Sequence, residues 1–136
     1  MDNDLREGYQ GTAYTVLGLE IRIGQRNPQL DFLLEANQKT EWIYITAWNP
    51  KNENWNIVRN QKANSELLLR LQMEDWILLS GWGIGDQRDW PPEASFLALG
   101  CSLEQGKKIA REFQQIAFLY GSKRDIPKLI YTENTE

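Results

Sequence analysis

Histidine is absent from this 136-residue sequence, and cysteine occurs once, at Cys101. Histidine is the usual general base, the commonest metal ligand and the usual partner of serine and cysteine nucleophiles. Its absence excludes the common Ser/His and Cys/His catalytic pairs. A single cysteine forms no intramolecular disulfide, and no Cys or His pair remains to hold zinc. We therefore expect no bound metal and no cofactor.

Long apolar runs and an excess of positive charge are also missing. The apolar runs, such as Trp76–Leu79, are far shorter than the ~20 residues that span a bilayer. The formal net charge of -4 gives no long-range attraction to nucleic acid or to anionic membranes. The first residues are charged where a signal peptide needs an apolar core. These absences predict a soluble, cytoplasmic protein that binds neither nucleic acid nor membranes.

The composition that remains is that of a globular protein, with 41% hydrophobic and 25% charged residues. A chain of this size can bury enough apolar surface to offset its conformational entropy without disulfides or metals. We find no repeat and no linker. The sequence therefore predicts one domain over residues 1–136, with loose termini.

Hydrophobic periodicity predicts six strands. From Tyr14 to Ile23 apolar and polar residues alternate, which is the pattern of a half-buried strand. Residues 42–47 are nearly all apolar, aromatic or β-branched, as in a central strand covered on both faces. The predicted strands are Tyr14–Ile23, Trp42–Ala47, Trp76–Ser80, Ser95–Leu99, Ala117–Tyr120 and Lys128–Tyr131.

Capping signals and helical spacing predict three helices. The first begins at Asn27-Pro28, the second covers roughly Asn60–Met73, and the third runs from Ser102 to about Gln115. Ser102 and Gln105 match a capping box at the start of the third helix, and Gly106 within it allows a close approach to the sheet. The element order predicts an α+β fold with a mixed sheet of five to six strands and three helices.

Two long segments rich in turn-forming residues, Trp48–Asn60 and Gly81–Glu93, are predicted to be loops. They carry Trp55, Trp82 and Trp90, whose rings either stack on a planar ligand or pin the loops to the core. The glycines at the start of the second loop are weakly similar to a phosphate-binding loop. An ordinary connection between strands explains them as well, because no helix follows.

Glu93 and Cys101 are the individual side chains whose surroundings suggest chemistry. Glu93 lies between a proline-rich loop and an apolar strand, where partial desolvation suits a general acid or base. The alternative is a structural pairing with Arg22 or Arg88. Cys101 precedes a helix, where a thiol pKa falls, but without a histidine partner it is interpreted as a small packing residue.

Four segments resemble the bacterial family called domain of unknown function 3293. They cover nearly the whole chain, and the most specific strings are Thr-Ala-Trp-Asn-Pro at residues 46–50 and Pro-Glu-x-Ser-Phe at residues 92–96. In the family pattern an Asn opens the next helix, which corresponds here to Asn60, and a Phe-Gly-Gln string follows. This chain has Phe113-Gln114-Gln115 instead of Phe-Gly-Gln. The resemblance implies a compact bacterial domain without an assigned activity.

The polar residues that match the family pattern lie at predicted strand ends and helix starts, where side chains from separate segments converge. We therefore hypothesise that they line one polar pocket for a small polar ligand or a protein partner. The alternative is that they cap helices and satisfy buried backbone groups. The candidate ligand-binding residues are Trp48, Asn49, Asn60, Glu93, Ser95 and Gln115.

Two functions remain open from the sequence. The first is a small binding or interaction module whose tryptophan-bearing loops form the recognition surface. The alternative is a hydrolase in which Glu93 is the acid or base and Asn49, Ser95 or Gln115 orients the substrate. The sequence does not decide whether the protein is an enzyme.

Overall fold

The computed structural model describes residues 8–85 and 92–132. Within these residues the chain forms seven strands, three α-helices and a short 3₁₀ turn at Pro50–Asn52, and residues 8–10 are also helical. The strands are Ala13–Val16 (β1), Leu19–Ile21 (β2), Glu41–Ile45 (β3), Ile77–Ile84 (β4), Glu93–Leu99 (β5), Ala117–Ser122 (β6) and Lys128–Tyr131 (β7). The helices are Pro28–Ala36 (α1), Ile57–Gln72 (α2) and Leu103–Glu112 (α3).

The fold is α+β, as expected, but the prediction of a mixed sheet with five to six strands is wrong. One seven-stranded sheet has the order β2-β1-β4-β5-β3-β6-β7, and every described strand pairing is antiparallel. Each helix does connect two parallel strands, as a crossover should. In every case, however, at least one antiparallel strand lies between them: β5 separates β3 from β4, and β3 separates β5 from β6.

Helices cover both faces of the sheet, and the interior strand β3 supplies side chains to both. Alternate residues of β3 point to opposite faces, so Trp42 and Tyr44 pack with Leu30 and Leu34 of α1. The intervening residues, Ile43 and Ile45, pack on the other face against Leu67 and Leu71 of α2 and Ile109 of α3. The prediction that this strand is covered on both faces is confirmed, and it lies inside the sheet next to the middle strand β5.

The sheet curls around α1. Buried side chains from β1, β2, β3, β5 and β6 all pack in the cluster that contains Leu30 and Leu34. At the two edges, the Gly24 N–H after β2 donates to the Pro127 carbonyl before β7, at 2.9 Å. The first and last strands of the sheet are therefore linked, and α1 lies on the enclosed face.

The predicted single strand Tyr14–Ile23 is a hairpin. Val16 pairs with Leu19, so only Leu17 and Gly18 form the turn, with φ values of 48° and 80°. Positive φ at both turn residues is the geometry that matches the twist of adjacent strands, and glycine adopts it without steric cost. The alternating pattern did not reveal the turn, because it continues through Leu17 although that side chain is 74% exposed.

The helix starts at Asn27 and Ser102 are confirmed, but two predicted helix boundaries are wrong. The second helix begins at Ile57, where the Asn56 side chain accepts a hydrogen bond from the Arg59 N–H at 2.9 Å. Asn60 therefore does not open this helix but lies inside it. The third helix ends at Glu112, before the predicted Gln115.

The segment Gly81–Ile84, predicted as the start of a loop, is the second half of strand β4. Gly81 is buried, and a Cβ atom there would lie 2.0 Å from the Thr15 carbonyl oxygen. The glycine is therefore required by the close approach of β1, and the comparison with a phosphate-binding loop does not hold. Residues 86–91 of the predicted loop, including Arg88 and Trp90, lie outside the described residues, and Glu93 is the first residue of strand β5. Residues 1–7 and 133–136 at the predicted loose termini also lie outside the described residues.

Cys101 is a packing residue, as expected. Its side chain is buried in the core beside α2 and α3, and burial raises the pKa of its thiol to about 12. The thiol is therefore neutral and unreactive at physiological pH. In the part of the chain that the structure describes, no helix has the length and apolarity needed to cross a membrane.

Gly106 allows α3 to pack directly on the sheet. A Cβ atom at this position would lie 2.8 Å from Phe118 Cε2 and 2.9 Å from Ile43 Cγ2. We expect Gly106→Ala to lower the free energy of unfolding by about 1–2 kcal/mol, because overpacking outweighs the gain in helix propensity. Urea unfolding measures this change. Lys108→Ala, at an exposed position of the same helix, is the control and should change stability by less than about 0.5 kcal/mol; an unchanged Gly106→Ala variant would contradict the prediction.

Candidate functional site

The segment between β3 and α2, residues 46–56, is held by two carboxamides of α2, and we call it the anchored loop. Asn60 accepts a hydrogen bond from the Asn49 N–H at 2.8 Å and donates to the Asn49 side-chain oxygen at 2.9 Å. It also donates to the Trp55 carbonyl at 3.2 Å. With only 1% of its surface exposed, Asn60 fixes both ends of the 3₁₀ turn.

Asn64, one turn further along α2, joins the anchored loop to strand β5. Its side-chain oxygen accepts from the Ala47 N–H at 2.8 Å, and its amide donates to the Ala94 carbonyl at 2.9 Å. The Thr46 hydroxyl donates to the same Ala94 carbonyl at 2.6 Å. Buried backbone groups need partners, and these side chains supply them where regular strand pairing ends.

The segment after α3 completes the support of the anchored loop. The Gln115 amide donates to the Trp48 carbonyl at 3.2 Å, and the Lys51 N–H donates to the Gln114 carbonyl at 2.7 Å. The Gln115 carbonyl in turn accepts from the Thr132 hydroxyl at 2.7 Å. The anchored loop is thus bonded to α2, β5 and the chain after α3.

The structure brings four of the six predicted site residues together and separates the other two. Trp48, Asn49, Asn60 and Gln115 belong to the support of the anchored loop, whereas Glu93 and Ser95 lie on the opposite face of the sheet. Sequence reasoning missed Asn64 and Thr46. The signal was available for Asn64, because Asn60 and Asn64 follow helical i, i+4 spacing on the face that carries Leu67 and Leu71.

A groove with a volume of about 420 Å³ lies between the 3₁₀ turn, α2 and the end of α3. This volume lies within the range of small-molecule sites. One wall is the anchored loop, so the hydrogen bonds of Asn60 and Gln115 fix the shape of the groove without lining it. The lining residues are Pro50, Trp55, Arg59, Lys62, Ala63, Glu66, Glu112, Phe113 and Gln114.

Trp55 and Arg59 form a cation–π pair at the rim of this groove. The guanidinium carbon of Arg59 lies 3.7 Å from the centroid of the Trp55 ring. The Trp55 N–H donates to the Asn49 side chain at 3.0 Å, and the indole N–H donates to Glu53 at 3.3 Å. Backbone and ring are therefore both positioned by the anchored loop, and Trp55 is the only residue of the predicted tryptophan surface found in the described groove lining.

Positive backbone φ angles are concentrated where the anchored loop meets the end of α3. Asn49, Lys51 and Gln114 have φ values of 48°, 54° and 56°. Non-glycine residues adopt this left-handed region at an energetic cost, and such residues occur often at functional sites. In the resemblance noted from the sequence, glycine corresponds to Gln114, and glycine adopts a positive φ without steric cost.

Gln114→Gly should therefore stabilise the protein. The substitution removes the steric cost of φ 56° next to a helix end, and we expect a gain of about 0.5–1 kcal/mol in the free energy of unfolding. Thermal and urea unfolding measure it. Lys108→Gly, at a helical and exposed position of α3, is the matched control and should cost about 1 kcal/mol. Equal losses in the two variants would show that Gln114 is not strained.

Glu93 and Ser95 lie at one end of the enclosed sheet face, beside three tyrosines that we call the tyrosine cluster: Tyr9, Tyr14 and Tyr44. The Tyr14 and Tyr44 rings meet edge to face, with centroids 5.4 Å apart. The Tyr14 hydroxyl donates to the Tyr9 carbonyl at 2.9 Å, and the Ser95 hydroxyl donates to the Glu93 carbonyl at 3.1 Å.

Burial keeps the tyrosine cluster neutral. Desolvation is the main cause that raises the pKa of all three hydroxyls above its usual value, and the Glu93 carboxylate raises the pKa of Tyr9 and Tyr14 further. These hydroxyls therefore remain hydrogen-bond donors at physiological pH. Since they do not ionise there, these hydroxyls do not supply a tyrosinate base.

Two tyrosines on this side of the sheet differ in how their hydroxyls are satisfied. The Tyr44 hydroxyl donates to the Thr15 carbonyl at 3.1 Å, whereas the buried Tyr131 hydroxyl has no hydrogen-bond partner among the described residues. An unpaired buried hydroxyl costs free energy, and removing it relieves that cost.

We therefore expect opposite effects from removing the two hydroxyls. Tyr131→Phe should raise the free energy of unfolding by about 1 kcal/mol, and Tyr44→Phe should lower it by about 1–2 kcal/mol because the Thr15 carbonyl loses its partner. Both variants keep the ring, so denaturant unfolding reports the hydroxyl alone. A Tyr131→Phe variant that is clearly less stable than the original protein would contradict the prediction.

Comparison with known proteins agrees with the resemblance seen in the sequence. The model of the family described as "Protein of unknown function (DUF3293)" matches residues 45–118, which is more than half of the chain. Neither a curated protein nor a solved structure matches the sequence. The matched range contains the anchored loop, α2, Glu93 and the groove lining. The chain therefore belongs to the DUF3293 family.

Proposed function

We propose that the protein is a binding module and that the groove beside the anchored loop is its recognition site. The observation that carries this proposal is the Trp55–Arg59 pair, at 3.7 Å, on the rim of a groove of about 420 Å³. Trp and Arg are the residue types that most often dominate binding energy, because each offers a large contact area together with polar groups. The pair is held before any ligand arrives, which lowers the entropic cost of binding.

The chemistry of the groove lining favours binding over catalysis. No hydroxyl or thiol side chain is present among the described lining residues, so the groove offers no side-chain nucleophile of these kinds. Of its two acidic residues, Glu66 and Glu112, the latter is paired with Arg70 at 3.3 Å. What the lining does offer is an indole ring stacked on a guanidinium, with further charged groups beside the pair, which suits a planar polar ligand.

The hydrolase alternative would use Glu93 on the other side of the sheet. The side chains predicted to assist it are committed to other contacts: Asn49 and Gln115 bind the anchored loop, and Ser95 donates to the Glu93 backbone. The tyrosines beside Glu93 remain protonated. This arrangement supports the alternative less well than the groove supports binding.

An NMR titration with a library of small planar polar compounds tests the binding function. We expect compounds that bind to shift the indole N–H signal of Trp55 and the backbone signals of Ala63 and Gln114, which line the groove. Trp55→Ala should weaken their affinity at least about tenfold, equivalent to about 1.4 kcal/mol, because the stacking surface is lost.

Trp82→Ala is the matched control for this experiment. Trp82 is 52% exposed on strand β4 and does not line the groove, so its removal should leave the affinity unchanged. Melting temperatures of both variants show whether the fold is intact. The proposed function would be overturned if compounds bind equally well to Trp55→Ala. It would also be overturned if no compound of the library shifts the NMR signals of Trp55, Ala63 and Gln114.

A further inference from the structure

The two basic residues of the groove form no ion pair with a carboxylate of the described residues. Arg59 and Lys62 lie three residues apart on α2, and so face the same side of the helix. Neither appears in an ion pair within residues 8–85 and 92–132, although seven ion pairs are formed there by other residues. This end of the groove therefore carries two cations whose N–H donors are not engaged by a described carboxylate, in a protein whose net charge is -4.

The acidic residues near this end of the groove form no ion pair with either cation in the part of the chain that the structure describes. Glu112 is paired with Arg70 at 3.3 Å, and Arg70 also contacts Glu74 at 3.3 Å. Glu66 lies one helical turn after Lys62 but forms no ion pair with it, and the Glu53 carboxylate accepts from the Trp55 indole N–H at 3.3 Å. Both cations of the groove therefore keep their N–H donors for a ligand.

The contact with Trp55 determines which groups of Arg59 remain available. The guanidinium carbon lies 3.7 Å from the ring centroid, so one face of the cation is covered by the indole. The N–H donors of a guanidinium point outward within its plane and remain free when a face is stacked. A guanidinium positioned in this way can donate two parallel hydrogen bonds to two oxygens of a carboxylate or phosphate.

We propose that the ligand of this groove is a small planar molecule that carries an oxyanion, either a carboxylate or a phosphate. The oxyanion binds Arg59 and Lys62, and the planar part packs between Pro50, Trp55 and Phe113. This inference rests on the proposed function, because it specifies the ligand class of the same groove. It also predicts binding that weakens as salt is added, because the partners are exposed charges.

Four probes of similar size separate the chemical classes: phenyl phosphate, benzoate, benzyl alcohol and benzylamine. Each is titrated into the complete protein while the Trp55 indole signal is followed by NMR. We expect both anions to bind at least about tenfold more tightly than the alcohol, in keeping with a charge-assisted pair. Tighter binding of phenyl phosphate than of benzoate assigns the oxyanion to a phosphate, and the reverse order assigns it to a carboxylate.

Variants of the two cations identify the contact. Arg59→Ala should remove most of the preference for anions, and Arg59→Lys should restore only part of it, since lysine keeps the charge but loses the planar fork. Arg124→Ala is the control, because Arg124 is exposed outside the groove. Melting temperatures confirm that each variant is folded.

The outcomes distinguish this inference from the proposed function. If benzyl alcohol or benzylamine shifts the Trp55 signal with an affinity equal to that of the anions, the groove binds ligands but the oxyanion assignment is wrong. The same holds if Arg59→Ala leaves the preference for anions intact. If none of the four probes shifts the Trp55 signal, the oxyanion assignment is overturned, whereas the broader library decides the proposed function.

Discussion

Two carboxamides on the buried face of α2 are the interaction on which the rest of the site depends. The anchored loop leaves the sheet at Thr46 and cannot satisfy its own backbone by strand pairing. Asn60 and Asn64 accept and donate at once, so each joins backbone groups from different parts of the chain. A leucine at either position would fill the space but would leave buried N–H and C=O groups unpaired, at a cost that packing does not recover.

This support has a direct consequence for the proposed recognition site. Because the polar side chains hold the loop, they do not line the groove, and the proposed site is formed by Trp55 and Pro50 of the loop together with the α2 cation that stacks on the indole. A binding surface made of a fixed ring and a fixed guanidinium loses little freedom when it is occupied. The tyrosine cluster lies on the other face of the sheet and is separated from the groove by the sheet itself. The two polar regions are therefore independent.

The elements that could be predicted from the sequence are those with strong local signals, and the remainder depend on long-range contacts. Asn27-Pro28, the capping box at Ser102 and the apolar run at residues 42–47 each fix their element locally. The extension of β4 through Gly81 depends on its pairing with β1. The turn at Gly18 depends on the pairing of β1 with β2. Likewise, the polar residue types at strand ends and helix starts predicted that Asn49, Asn60 and Gln115 lie together. Only the fold shows that Glu93 lies on the other face of the sheet.

The hydrogen bond between Gly24 and Pro127 sets a condition on how this molecule folds. It joins positions separated by most of the chain, and the sheet has a central strand whose partners come from much later segments. Closing such large loops costs conformational entropy before the contacts that offset this cost have formed. Folding should therefore be slow compared with that of helical proteins of equal length. The enclosed helix α1 precedes β3, β5 and β6, which pack against it, so its apolar face is not fully covered until β6 has been synthesised.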